Sequence, residues 1–414
     1  MLIIYPLASE IHGREYYGKV LDEYKSVLTT YKDVKFCNVV TSIKQLESIT
    51  CGIDDIPVLI FLTGGTSRLG LEIAKKYNRL VVIIAHGEHN SLPSALSCKG
   101  KCSILGIPCI TLYSNRPREI TDMFKKVYNA YSAYSHIRSL RILLIDEKTK
   151  TRDAITLENT IKGVSVIPIP PEVIDRELNL VSEEDVNSIV KYLTKTFNIS
   201  FNQLNSVEST IKYYLVFKKL IKEHKANALT LNCFNFISRR GITPCLPLAI
   251  LNSEGIPAAC EEDYHSLLLL TLSLRLTGKP GWIGNPSAIN GDTVVFAHCT
   301  IAFSLSKRVQ LLPHFETGLP IAISGEVGLG RVLLTRLSYD YKELIVYEGE
   351  IVKSGLLSNS RCRTQIHLKL SRLTPQDFIE TAKGNHHVII PSNSVRNELE
   401  YTGKLLGLKV VLYK

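Results

Sequence analysis

The amino-acid sequence predicts an α/β protein: two parallel-sheet domains followed by a β-rich, barrel-like C-terminal domain. Three observations carry this. Residues 1–138 alternate short apolar runs with helical patterns, the same alternation restarts at Arg141, and from about Ile301 short alternating runs separated by glycines and turns replace it. Short β-branched runs alternating with amphipathic stretches build a parallel sheet with helices on both faces, whereas closely spaced alternating runs build antiparallel sheets.

In the first domain, residues 1–139, the strands fall at Leu2–Tyr5, Val34–Val40, Pro57–Leu62, Leu80–Ala85 and Pro108–Tyr113, and a helix from Pro117 to about Ser139 closes the unit. This is the pattern of an open, flavodoxin- or Rossmann-like sheet. The second domain, residues 140–300, takes strands at Arg141–Asp146, Val164–Ile169, Ala228–Asn232 and Ile256–Cys260, with helices at Glu183–Thr196, Val207–Lys225, Thr243–Asn252 and Glu262–Thr277. The third, residues 301–414, holds the runs Ala322–Ser324, Gly330–Leu337, Glu343–Tyr347, Glu350–Lys353 and Arg363–Leu370, which read as a small barrel. A helix–strand–helix–strand tail from Pro375 to Tyr413 ends the chain.

At 45% hydrophobic and 21% charged residues, the composition is that of a soluble globular protein. The longest apolar stretch, Ser266 to Leu274, falls short of the ~20 residues that span a bilayer, so no membrane segment is expected. Met1 to Pro6 lacks a basic leader and reads as a first strand, and a cytoplasmic location is expected. The ten cysteines, Cys51 among them, are scattered through apolar runs and are expected to be buried thiols, not disulfides. Cys98 and Cys102 are spaced like half a zinc site, but no second pair completes it nearby. The net charge of +10 raises nucleic-acid binding as one reading. The lysines are instead dispersed over helix faces such as Lys218, Lys219, Lys222 and Lys225, with no recognition motif, so no nucleic acid is expected and an anionic small molecule accounts for the charge equally well.

Chemistry-bearing residues gather at predicted strand ends. Thr63, Gly64, Gly65 and Thr66 follow one strand, where paired glycines admit close backbone approach; the alternative is a tight turn with Thr66 as a helix cap. His86 to Ser91, including Asn90, follow the next strand. Ligands bind outside the carboxyl ends of such strands. Further on come Cys260-Glu261-Glu262-Asp263, where Glu262 and Asp263 suit a helix start and Glu261 is better placed to face a crevice. His298 closes an apolar run, and His386-His387 precede another; adjacent strand residues point to opposite sides, so only one of that pair can face a given site. A carboxylate and two imidazoles at strand ends are how such an architecture builds a divalent-metal site.

The segments Thr243 to Ala249, Asn252 to Asp263, Ala297-His298-Cys299, Leu312 to Gly318 and His386-His387 resemble the L-fucose isomerase-related proteins of the L-fucose/L-arabinose isomerase-like superfamily. The resemblance implies a metal-dependent aldose–ketose isomerase of carbohydrate metabolism, acting on a sugar or sugar derivative through a cis-enediol. It also implies Mn²⁺ or another divalent metal, and a homo-oligomer in which a neighbour's N-terminal loops cover the site. Carried over, the metal ligands are Glu261, Asn285, His298 and His387, with His386 the second choice. Glu261, Asn285 and Asp263 fall in catalytic positions, while Thr63, Gly64, Gly65, His86, Asn90, His314 and Glu316 are expected to bind substrate.

One position departs from that pattern. Asn285 stands where the related proteins carry an aspartate. An amide offers a carbonyl oxygen to a metal but takes no proton from carbon, and its neutrality weakens the hold on a hard cation. Two readings follow: an isomerase in which Glu262 or Asp263 compensates, or a sugar-binding or regulatory relative that has lost the second acid.

Overall fold

The structure is a computed structural model that describes residues 1–49, 52, 54–197 and 203–413. It divides into two compact units, Met1–Ser132 and Ala133–Lys414.

The first unit is built on strands β1 (Leu2–Leu7), β2 (Val34–Phe36), β3 (Ile56–Phe61), β4 (Val81–His86) and β5 (Cys109–Ser114). They pair in the order β2-β1-β3-β4-β5, all parallel. This is the flavodoxin-like strand order, in which the chain reverses direction across the sheet beside the first strand. Strands β1, β3 and β4 are buried along their whole length, which is why they read as unbroken apolar runs and not as alternation.

The second unit opens on four parallel strands: β6 (Arg141–Ile145), β7 (Ser165–Ile169), β8 (Ala228–Leu231) and the two-residue β9 (Ala258–Ala259), in the order β7-β6-β8-β9. Its helices are capped as sequence dictates: Ser182 accepts from the Asp185 amide, Asn232 from Asn235, and Asp263 from Ser266. Each such cap contributes about 1 kcal/mol.

The remaining strands are β10 (Trp282–Asn290), β11 (Thr293–His298), β12 (Ser306–Leu312), β13 (Ala322–Val327), β14 (Gly330–Leu337), β15 (Glu343–Gly355), β16 (Thr364–Leu370), β17 (His387–Ile390) and β18 (Lys409–Tyr413). Six of them close on themselves in the order β14-β17-β10-β11-β16-β15, with β15 pairing back to β14. Every step of this barrel is antiparallel. Strand β18 adds in parallel outside β15, and β12 and β13 form a separate hairpin. Closure removes the open edges that a six-stranded sheet would otherwise expose.

The barrel begins at Trp282, ahead of the change in texture at Ile301. Gly284, Asn285 and Pro286 are poor strand formers and hide β10 from propensity, and the ladder slips at Pro286. The visible signal is the two-residue turn Gly291-Asp292 between the paired residues Asn290 and Thr293, with Gly291 at φ +58°.

Nine cysteines are free thiols, most of them buried; Cys51 lies outside the described residues. Among the described residues no helix is long and apolar enough to cross a membrane.

Candidate functional site

The centre of the second unit is assembled from the turn after β9 and from residues of β10, β11, β14 and the approach to β17. Strand β9 ends at Ala259 and the next helix begins at Tyr264, leaving Cys260 to Asp263 to turn the chain at the carboxyl end of the parallel sheet. Glu261 and Glu262 both hold positive φ, +57° and +53°. The amide of Glu262 donates to the carbonyl of Leu231 at 2.7 Å, which ties the turn to the end of β8. Left-handed backbone at two successive non-glycine residues costs on the order of 1–2 kcal/mol each. That strain separates the roles of the three acids. Glu262 turns to the Thr151 hydroxyl, Asp263 caps the helix with 2.9 Å to the Ser266 amide and 2.6 Å to its hydroxyl, and Glu261 turns to His386.

His386 stands just before β17 and bridges two of these carboxylates. Its Nδ1–H donates to Asp263 Oδ2 at 2.7 Å, and its Nε2 lies 3.4 Å from Glu261 Oε2, an ion-pair distance without hydrogen-bond alignment. Gly284 pairs with His387 across β10 and β17, so one step further along this ladder Asn285 stands opposite His386. On its other side Asn285 pairs with Ala297, next to His298. The His298 and His386 rings are 5.6 Å apart, and His298 Nε2 is 3.3 Å from the Cys260 thiol.

Arg336 of β14 braces the arrangement from behind. It is 1% exposed, and its Nη1 donates to the His386 carbonyl at 2.8 Å while lying 3.8 Å from Asp263 Oδ2. Its Nε donates to the carbonyl of Lys383, and the guanidinium sits over the Tyr339 ring at 4.7 Å. A guanidinium this buried is tolerable only with such a set of acceptors.

These contacts set the charges. Burial presses Asp263 and Glu261 toward neutrality, but hydrogen bonds from His265, His386 and Ser266 hold Asp263 well below its ordinary range, and His386 holds Glu261 below its own. Burial likewise works against an imidazolium at His386, yet Asp263 and Glu261 together raise it to about 9. His298, buried and beside that cation, falls to about 4. The centre therefore carries two carboxylates, one imidazolium and one neutral imidazole at pH 7.

The structure thus brings Glu261, Asp263, His386 and His298 together, with Asn285 inside β10 opposite His386. It turns His387 the other way: its ring packs against Phe296 and Phe378, with centroids at 5.8 and 5.2 Å, and its Nδ1–H donates to the Asn385 carbonyl. Burial in that apolar setting lowers it to about 4. His314 is buried in the turn after β12, hydrogen-bonded to Thr317, and Glu316 beside it is exposed. Arg336 is a member that motif reading passes over, and Cys260 stands in the acidic motif without an assigned role. A lone arginine in the apolar run Leu333-Leu334-Thr335-Arg336-Leu337 was the available signal for the first.

In the first unit, the Thr63 hydroxyl accepts from the Ser9 amide at 2.7 Å, and Thr66 donates to the Thr63 carbonyl at 2.8 Å. Gly64 has no room for a side chain, because a Cβ there would meet that of Asn90 at 2.8 Å. His86 is fully engaged: Nε2–H donates to the Leu62 carbonyl at 3.0 Å and Nδ1 accepts from the Glu88 amide at 3.3 Å. Gly64, Gly65 and Asn90 line a shallow cleft of about 430 Å³, from which the buried His86 is withdrawn.

Three groups at the central site suit a divalent cation once the ion displaces the Nε2 proton of His386. Glu261 supplies a carboxylate, and Asn285 Oδ1 and His386 Nε2 are buried atoms without a hydrogen-bond partner among the described residues. A carboxylate oxygen, an amide oxygen and an imidazole nitrogen are ordinary ligands of such ions.

Fold and site define an α/β protein with a closed antiparallel barrel, carrying paired carboxylates and imidazoles where barrel and parallel sheet meet. No family model matches the chain. A stretch of 104 residues is 30% identical to sulfoquinovose isomerase of Clostridium sp. (strain MSTE9), covering 24% of this chain and 23% of that enzyme. The matched region is thus about a quarter of the length of this relative, and over it the chain is distantly related to a sugar isomerase.

Proposed function

We propose that this protein isomerises a sugar or sugar derivative between aldose and ketose forms through a cis-enediol. The observation that carries the proposal is Glu261. It is a carboxylate held in a left-handed turn at the carboxyl end of a parallel sheet, ionised, and in contact with the His386 imidazolium. The distant relationship to a sugar isomerase supports the same reading. The basic net charge of +10 favours an anionic sugar as substrate.

In this mechanism Glu261 removes the proton on the carbon beside the carbonyl and returns it to the neighbouring carbon of the enediol, so that one base serves both steps. Without a metal, the His386 imidazolium gives its Nε2 proton to the carbonyl oxygen and regains one from the neighbouring hydroxyl, and Asp263 fixes its ring. Arg336 holds the His386 backbone in place. With the Nε2 proton of His386 displaced, Glu261, Asn285 and the neutral imidazole would hold Mn²⁺ or another divalent cation in its place. When bound, that ion supplies positive charge for the two enediol oxygens.

A second reading rests on Asn285. Its amide cannot act as a base, so the fold would bind a sugar without turning it over. Exchange of the substrate C2 hydrogen with solvent deuterium, followed over a panel of neutral, phosphorylated and sulfonated aldoses with Mn²⁺ present, separates the two. Exchange that disappears in Glu261→Gln supports isomerisation. Saturable binding without exchange supports the second reading.

A further inference from the structure

We propose that Cys245, Cys299 and His314, with Cys362 as the fourth ligand, form a binding site for a thiophilic divalent cation of the Zn²⁺ class. This donor set shares no residue with the Glu261–Asn285–His386 set.

The geometry is the first argument. The Cys245 and Cys299 thiols and one ring nitrogen of His314 all lie within 4.8 Å of one another. Around a tetrahedral zinc, Zn–S bonds of ~2.3 Å and Zn–N bonds of ~2.0 Å separate neighbouring ligand atoms by roughly 3.5–4 Å, so the three need only a small contraction. Cys362 packs against the same cluster and its thiol contacts that of Cys299. A Cys₃His set is a standard closed zinc shell.

The second argument is what the imidazole does there. Thiols alone would pack as small hydrophobes around Ala322 and need no other explanation. His314 is 3% exposed, and its Nδ1 is engaged by the Thr317 hydroxyl at 3.2 Å. An outer hydrogen bond that fixes the ring is how metal-bound histidines are oriented.

The third argument is connectivity. Cys245 opens a helix, Cys299 directly follows β11, His314 follows the hairpin strand β12, and Cys362 lies in the loop before β16. One ion would tie helix, hairpin and barrel together, which is the work of a structural metal. Binding would release the thiol protons to solvent, so affinity rises with pH.

The test uses the full chain, stripped with a chelator and titrated with Co²⁺ and then Zn²⁺. The expected result is a thiolate-to-cobalt charge-transfer band with the intense visible bands of a tetrahedral ion, bleached by Zn²⁺. The band should survive in Glu261→Gln, vanish in Cys299→Ser, and need at least about tenfold more Co²⁺ in Cys362→Ser and His314→Gln. If Cys299→Ser does not fold, alkylation of the unaltered protein reads the same site: Zn²⁺ should protect the Cys245, Cys299 and Cys362 thiols. Absence of the band from folded, stripped protein would overturn the proposal. So would a band unchanged in Cys362→Ser and His314→Gln, or thiol alkylation indifferent to Zn²⁺.

Discussion

His386 and Asp263 meet at 2.7 Å, Nδ1 to Oδ2, and this contact orients the whole centre. With Nδ1 committed to the helix-capping carboxylate, Nε2 can face only toward Glu261, which a free ring would reach in one of several rotamers. Asp263 is therefore a positioning residue, and the helix it caps is the rigid body that carries it.

The two adjacent histidines should separate cleanly on substitution. His386→Gln should weaken Mn²⁺ binding by tenfold or more and leave the barrel intact. His387→Gln should leave Mn²⁺ affinity within about twofold and lower stability, because it places an amide among Phe296, Tyr347 and Phe378. Calorimetric metal titration beside thermal unfolding checks both. Equal metal losses in the two variants would remove His386 from its assigned role.

Asn285→Asp adds a negative charge inside β10, opposite His386. Divalent-cation affinity should rise, since each added carboxylate strengthens a hard-ion site. If a second base limits turnover, C2-hydrogen exchange should rise by roughly 10²-fold or more. Unaltered metal affinity in this variant would place Asn285 outside the ligand set.

Arg336→Met removes a buried cation from the Asp263 carboxylate and from two backbone carbonyls. Asp263 keeps His386 and Ser266, but two buried carbonyls lose their donor, so the expected loss is about 1–3 kcal/mol, readable as a drop in denaturant midpoint at constant slope. Gly384→Ala should act through the same side chain, because a Cβ there would lie 2.7 Å from Arg336 Nη2, on a backbone already at φ +131°.

Stability of the metal-free protein should fall on both sides of neutrality. His386 is raised from 6.5 to about 9, so its contribution is complete below pH 6.5 and is lost as pH climbs through 9. His298 and His387 are lowered from 6.5 to about 4, so the folded state refuses protons that the unfolded chain accepts as pH drops from 6.5 toward 4. Thermal midpoints measured with chelator from pH 4 to 10 should peak near neutrality. In His386→Gln the alkaline decline should flatten while the acid limb persists.

Much of this was legible from residue order alone. The central parallel strands β1, β3, β4 and β8 are apolar runs buried along their whole length, which marks them in the sequence. The acids after β9 were placed at the strand end because Gly255 to Ala259 so clearly ends a strand. What could not be read was direction. Which of His386 and His387 faces Glu261 depends on the ladder between β10 and β17, and β10 was masked by Gly284 and Pro286. Arg336 escaped because its value lies in carbonyls at 383 and 386, distant in sequence and without side-chain identity.

The turn at Glu261 and Glu262 bears on how this chain came to be as it is. Glycine at either position would relieve the left-handed backbone and stabilise the fold by about 1 kcal/mol, a change open to random substitution at all times. Both positions nevertheless carry glutamate. Selection for folding alone would favour the relaxed residue at Glu261, whereas the strain at Glu262 is offset by its bond to the Thr151 hydroxyl. Ancestral reconstruction of this turn, with each inferred residue scored for both unfolding free energy and sugar exchange, would show when the acid at 261 arose.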